Sequence, residues 1–542
     1  MRAIWCTLVS ALASDPLVVN TDAGPVRGLS VDGVRKFLGV PFATCERFGA
    51  PEPPAKWTEI RDATQYGPGC QQGHPGHNPD VPKNQSEECL NVNIFAPDGA
   101  SNLPVLIWYY GGAFKEGSNQ GPYGLYDGSN LAKLHDVIII AVNYRLHVYG
   151  FLALPSDSDT GVKGNFGIMD QQEAMRWVQR NAKAFGGDPS RVTLWGESAG
   201  AMSIGIHMAS NKTAGLFQGA IMESNLAGYR YRTSEQAGLY GTYFLKYIPD
   251  CEKLKGSALM GCLRKQNTTT IHNAASKAEN EIWVIVKGNW AHWLDAVLSW
   301  TPVVDGDVLP DQVTSVFRAG QQQKVPLLAG TNSNEGATFV YVKDFPAVSG
   351  LELKAAQPVI FGSDNGPRVW ERYNAPLFKS ARNVTSRMVT DYWFRCSTES
   401  LAEAQQAAGV PSFVYRFDHS PSFSQLWPQF GLPTQCETEV CHMAEIPFVF
   451  GNYANYTAEV TEEEKTLASV LGSLWMTFAK NHSASVGPVQ WPAFDKNSKS
   501  NLLIDIGTKD APKLTVESAK DMCDFWDSVG YLHAEAPHVT LV

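Results

Sequence analysis

The run Arg191-Val192-Thr193-Leu194-Trp195-Gly196-Glu197-Ser198-Ala199-Gly200-Ala201 holds the strongest chemical signal in the chain. A β-prone segment runs into a Gly-x-Ser-x-Gly turn, and a helix start of small residues follows. So sharp a turn lifts the serine side chain clear of the backbone, and a Cβ at either glycine would clash across it. The helix start behind Ser198 directs free N–H groups towards a developing oxyanion. A serine hydroxyl attacks an acyl carbon only when a base takes its proton, and a histidine near its free pKa can do this. A buried carboxylate then holds the imidazole tautomer and stabilises the imidazolium. Ser198, Glu335 and His442 are the candidates for these roles. Twelve histidines are present, and local chemistry alone does not distinguish His442 from the rest.

The elements that must position these groups read as alternating strands and helices. Pro104 to Tyr110 is an apolar strand that ends in Gly111-Gly112-Ala113-Phe114, a turn suited to presenting backbone N–H groups. Asp136 to Tyr144 is a second buried strand. Ile168 to Ala184 has apolar residues at helical spacing, and Gly186-Gly187-Asp188-Pro189 stops it. Strands follow at 191–195, Phe217 to Met222, Val325 to Leu328 and Ser412 to Phe417. Glu335 falls in a loop just past the Val325 strand. This order predicts an α/β fold with a mostly parallel central sheet flanked by helices. Residues 225–300 and 340–400 read as helical insertions, with Trp283, Trp290, Trp293 and Trp300 in the first. One helix is expected from about Thr461 and another around Cys523.

The net charge of −10 and the absence of a Lys/Arg block argue against a nucleic-acid partner. Arg2, the apolar stretch Ala3 to Leu12 and the small residues Ala11 and Ala13 predict a secretory leader at 1–13 and a mature single domain at 14–542. That stretch is too short to span a bilayer, so no stable membrane insertion is expected. Sequons at Asn84, Asn211, Asn267, Asn383, Asn455 and Asn481 agree with an extracellular, glycosylated protein. Of ten cysteines, Cys6 leaves with the leader. Cys70/Cys89, Cys251/Cys262 and Cys436/Cys441 could close local loops, and Cys396 and Cys523 a long one, which leaves Cys45 over. Buried free thiols are the alternative. No metal-ligand spacing occurs, and no cofactor or metal is expected.

Several motifs together resemble the type-B carboxylesterase family of α/β-hydrolases, which includes fungal lipases and cholinesterases. They are Asn143-Tyr144-Arg145, Gly164 to Gln172, Ala184 to Pro189, Gly196 to Gly200, Glu87-Glu88-Cys89-Leu90-Asn91-Val92-Asn93, Pro302 to Gly306 and Asn332 to Gly336. The resemblance implies Ser198 as nucleophile, Glu335 as acid and His442 as base. It implies the N–H groups of Gly112, Ala113 and Ala199 as the oxyanion hole. It also implies the disulfides Cys70–Cys89, Cys251–Cys262 and Cys396–Cys523. Cys436–Cys441 is inferred from spacing, with a loop that would brace the backbone entering His442.

Two departures stand out. Ala113 takes the place of a third glycine, keeping its N–H but disfavouring positive φ. Cys45 sits where the family usually has a longer proline-containing stretch. The loop between Cys70 and Cys89 is polar and carries no tryptophan for a quaternary ammonium. It therefore favours a carboxylesterase acting on soluble, small-molecule esters; Leu298 and Trp300, just before the Pro302 block, are the candidates to line the acyl pocket. A lipase acting on longer acyl glycerides is the alternative, and a non-catalytic binding protein on the same fold is another. The sequence does not set the oligomeric state.

Overall fold

Apolar runs long enough to bury both faces of a strand form the centre of the molecule, seen in a computed structural model. It describes residues 15–531 apart from 74–80, 288–297, 343–344, 346, 375, 378, 454–459, 488 and 509–510. The expected leader, Trp290, Trp293 and the sequon at Asn455 lie outside the described residues.

The strands of the main sheet are, in chain order, β1 (Leu29–Val31), β2 (Val34–Pro41), β3 (Asn91–Pro97), β4 (Leu103–Tyr109), β5 (Ile138–Val142), β6 (Gly187–Glu197), β7 (Gly219–Glu223), β8 (Leu327–Asn332), β9 (Ser412–Phe417), β10 (Ser500–Thr508) and β11 (Ala511–Ser518). Across the sheet they run β11-β10-β9-β8-β7-β6-β4-β5-β3-β2-β1. Every pairing from β10 to β5 is parallel, and antiparallel strands complete both edges. β5, β7 and β8 are buried along their whole length, as parallel strands covered on both faces must be.

The main helices are α1 (Phe166–Asn181), α2 (Ala199–Ala209), α3 (Thr268–Lys287), α4 (Glu335–Val340), α5 (Gly350–Tyr373), α6 (Cys396–Ala407), α7 (Glu462–Asn481) and α8 (Lys520–Val529). α1 carries the chain from β5 to β6, and α3 belongs to the insertion between β7 and β8. α7 starts on a capping box in which Thr461 and Glu464 satisfy each other's backbone N–H. Leu467, Leu471, Leu474, Trp475 and Phe478 form its buried face.

Register brings the carboxyl ends of the middle strands level: Tyr109 pairs with Gly196, Glu197 with Glu223, and Glu223 with Gly330. Ligands in open α/β sheets bind outside this edge. Beneath it, Trp108 and Trp195 lie edge-on at 4.6 Å, and Phe450 stacks on Trp195 at 4.4 Å.

Two local readings are corrected. Glu335 opens the short helix α4 instead of lying in a loop. The antiparallel β10–β11 pair was not read from the sequence, although Leu514 and Val516 alternate with Lys513, Thr515 and Glu517 in its second strand. Among the described residues four disulfides join Cys70–Cys89, Cys251–Cys262, Cys396–Cys523 and Cys436–Cys441, and Cys45 is a free thiol. Among the described residues no helix is long and apolar enough to cross a membrane.

Candidate active site

Ser198 joins β6 to α2 with φ 56 and ψ −123, a conformation that costs a non-glycine residue about 1–2 kcal/mol. Its N–H donates to the Glu223 carbonyl at 2.9 Å, and its carbonyl accepts from Met202 N–H at 2.8 Å. The flanking glycines are forced by packing. A Cβ on Gly200 would sit 1.9 Å from the Tyr109 carbonyl oxygen, and one on Gly196 would sit 2.7 Å from it. Ala199 is the first residue of α2, so its N–H has no intrahelical acceptor.

The turn after β4 approaches this serine closely. A Cβ on Gly111 would come within 2.8 Å of Ser198 Cβ and 2.5 Å of Glu197 Oε2. Gly112, Ala113 and Phe114 then take positive φ in succession, at 101, 56 and 61. Alanine thus accepts the geometry that glycine would adopt more readily. Among the described residues no backbone carbonyl accepts from Gly112 or Ala113 N–H. Both residues are partly exposed, whereas the Phe114 side chain is buried.

His442 lies beyond β9, directly after the Cys436–Cys441 bridge. Its Nδ1 is 2.6 Å from Glu335 Oε2. The other oxygen of Glu335 accepts the Ser224 hydroxyl at 2.6 Å and the Asn332 N–H at 2.7 Å, which fixes the carboxylate. Phe339 and Phe394 flank the imidazole at 5.2 and 5.4 Å. On the opposite side Nε2 lies 3.1 Å from Glu197 Oε1, a charge contact without hydrogen-bond geometry, and among the described residues Nε2 makes no hydrogen bond. Burial disfavours the imidazolium, but the carboxylates of Glu197 and Glu335 outweigh it and raise His442 to about 9. Exposure is graded: Glu335 is 0% exposed, and Ser198 and His442 are each 8% exposed. The structure thus brings the sequence-predicted Glu335 and His442 into contact. It sets them beside Glu197, the residue before Ser198.

Two further buried carboxyl groups were given no role in the sequence reading. Glu223, at the end of β7, accepts the indole N–H groups of Trp195 (2.9 Å) and Trp475. Burial, with Glu445 nearby, raises its pKa well above the usual range. Glu445 accepts Asn332 Nδ2 at 2.7 Å and the Tyr415 hydroxyl at 3.0 Å, and burial and Glu335 push it up too. Ser224 and Asn332 link Glu445 to Glu335, whereas Glu223 is tied to the two indoles. The available signal was positional: Ser224 follows a core strand, and Asn332 ends the next one.

Leu298 and Trp300 are both buried. Trp300 packs edge-on to His147 and Phe244, with centroids at 6.1 and 6.2 Å. The Arg232 guanidinium clamps the backbone beside them through Ser299 O at 2.9 Å. Burial pushes the Cys45 thiol up to about 12, so it stays protonated and unreactive at neutral pH.

Residues 15–526 match the profile of the carboxylesterase family. The chain is 36% identical over 500 residues to the para-nitrobenzyl esterase of Bacillus subtilis (strain 168), across 90% of this chain and 94% of that protein. It is 31% identical over 567 residues to the cholinesterase of Mus musculus, across 94% and 86% respectively. A solved thermophilic PNB esterase superposes with a TM-score of 0.79 at 34% identity, over 94% of this chain and 100% of that one. Extent of match, sheet order and the geometry at its carboxyl edge agree: the chain belongs to the carboxylesterase family and is a carboxylic ester hydrolase of the α/β-hydrolase fold.

Proposed function

We propose that this protein is a secreted serine carboxylesterase acting on small, soluble esters through an acyl-enzyme on Ser198. His442 takes the Ser198 proton as Oγ attacks the carbonyl carbon, then gives it to the departing alcohol oxygen. The N–H groups of Gly112, Ala113 and Ala199 receive the oxyanion. Water then attacks the acyl-enzyme with His442 again as base, releasing the acid and restoring the Ser198 hydroxyl. Glu335 holds Nδ1 and stabilises the imidazolium. Leu298 and Trp300 border the acyl side. No cofactor takes part.

The observation that carries this reading is the setting of His442. One ring nitrogen is held by a fully buried carboxylate at 2.6 Å, and the other points to the serine turn at Glu197. The test is Ser198→Ala together with organophosphate labelling. The variant should lose ester turnover by a factor on the order of 10⁴–10⁶, and the label should map to Ser198 in the native enzyme. Unchanged turnover in the variant would remove Ser198 from the mechanism.

The export part of the reading is supported by the four disulfides and by the sequons. Asn84, Asn211, Asn267, Asn383 and Asn481 are all exposed, as glycan acceptors must be. Sequencing the amino terminus of the secreted protein should give Ser14, and glycosidase treatment should lower its apparent mass. A protein retained in the cell with neither change would refute it.

A further inference from the structure

The turn that follows β4 is held in an unfavourable conformation, and its supports come from outside the turn. Gly112, Ala113 and Phe114 all have positive φ, and such runs persist only where surrounding contacts over-determine them. One support is neutral: the Gln72 amide receives Gly117 N–H and donates to Gly117 O, each at 2.8 Å. A second is charged. Lys115 Nζ lies 3.1 Å from Glu279 Oε2, and Glu279 Oε1 lies 3.0 Å from His147 Nε2. The His147 N–H donates to the Phe114 carbonyl at 2.7 Å. The chain of contacts therefore closes on itself, from Phe114 through His147 and Glu279 to Lys115 and back into the turn.

Both ends of this ring are firmly seated. His147 is buried and lies two residues from Arg145, which grips Asp170 through Nη2 at 2.7 Å and Nε at 2.8 Å. Glu279 stands on α3 seven residues after His272, on the same face of the helix. The His272 ring lies 5.4 Å from that of His147. Burial works against the Glu279 carboxylate, yet His147 and Lys115 hold it down to about 2, so it stays charged across the working pH range.

We propose that Lys115, Glu279 and His147 act as positioning residues for ester hydrolysis, locking the turn that aims the Gly112 and Ala113 N–H groups. This rests on the reading of those two N–H groups as oxyanion donors. The relay touches no substrate. It acts by holding donors that matter only once negative charge develops on the carbonyl oxygen, so its loss weakens the transition state and spares ground-state binding.

The test uses the whole enzyme with Glu279→Gln, Lys115→Met and Lys115→Arg, with rates counted per serine titrated by an organophosphate. With a short-chain para-nitrophenyl ester, Glu279→Gln and Lys115→Met should lower kcat about tenfold and leave KM within about twofold. An alkyl trifluoromethyl ketone, whose hemiketal oxygen mimics the oxyanion, should lose affinity by a similar factor. The matching methyl ketone should not. Lys115→Arg should restore most of the rate. Should Glu279→Gln fail to fold, the two Lys115 variants decide. A kcat and trifluoromethyl ketone affinity within twofold of native in Lys115→Met would overturn the relay. A native enzyme that binds the two ketones equally would overturn the oxyanion assignment itself, and the relay with it.

Discussion

Glu197 places Oε1 3.1 Å from His442 Nε2, across the imidazole from the nitrogen that Glu335 holds. The ring thus lies between two carboxylates, and the residue carrying one of them is bonded to Ser198. Such a pair favours the imidazolium, which stabilises the charge formed during acylation and delays the appearance of free base as pH rises.

The pH profile should report this arrangement. His442 acts as base only when neutral, so kcat/KM for an uncharged ester should rise with pH through a midpoint above the free imidazole value of about 6.5. Glu197→Gln removes one attraction for the proton, and the midpoint should fall by about one unit. Initial rates across the pH range on both proteins check this. Identical midpoints would mean that Glu197 does not act on His442.

The disulfides should separate stability from catalysis. Cys396–Cys523 spans 127 residues, and loop entropy assigns it roughly 5 kcal/mol of stability. Cys436–Cys441 spans 5 residues and should contribute roughly 2 kcal/mol, yet it ends beside His442. Replacing Cys436 and Cys441 together by serine should lower kcat more than it lowers the denaturant midpoint. The equivalent change at Cys396 and Cys523 should do the reverse. Equal effects on kcat from both pairs would show that the short loop does not brace His442.

Interfacial activation should be absent. The described base of the Cys70–Cys89 loop is stitched down by amides: Gln72 bonds to Gly117, and Gln85 to Gln72 N–H, Gly73 O and Pro82 O. The hydrolysis rate of a short-chain ester should therefore follow its dissolved concentration and flatten at the solubility limit. A sharp rise past that limit would favour a lipase.

Glu399 should make the fold less stable at higher pH. Its Oε1 accepts a hydrogen bond from Asn501 Nδ2 at 2.7 Å, and among the described residues its buried Oε2 has no hydrogen-bond partner. Burial raises its pKa from 4.5 to about 8. Between these values the native state keeps a proton that the unfolded chain has released, so stability falls as pH rises through that window and levels off above it. Glu399→Gln should flatten this slope, with roughly 1–3 kcal/mol less loss between about pH 5 and pH 8. Denaturant titrations at the two pH values check it, and an unaltered slope would show that Glu399 titrates normally.

Much of the molecule follows from local rules that the sequence states openly. Apolar runs such as 138–142 become strands, Thr461 and Glu464 cap a helix, and Gly196 and Gly200 mark the sharp turn around Ser198. Each depends on neighbours within a few positions. What only the tertiary structure decided concerns contacts between distant residues. Glu335 and His442 stand 107 positions apart and meet at 2.6 Å. Ser224, Asn332 and Glu445 join them only because parallel strands end level with one another. The Lys115–Glu279–His147 ring spans 164 positions between Lys115 and Glu279. An isolated Lys, Glu or His carries no periodic mark in sequence, because its role depends on the burial and charge that the rest of the chain supplies once packed.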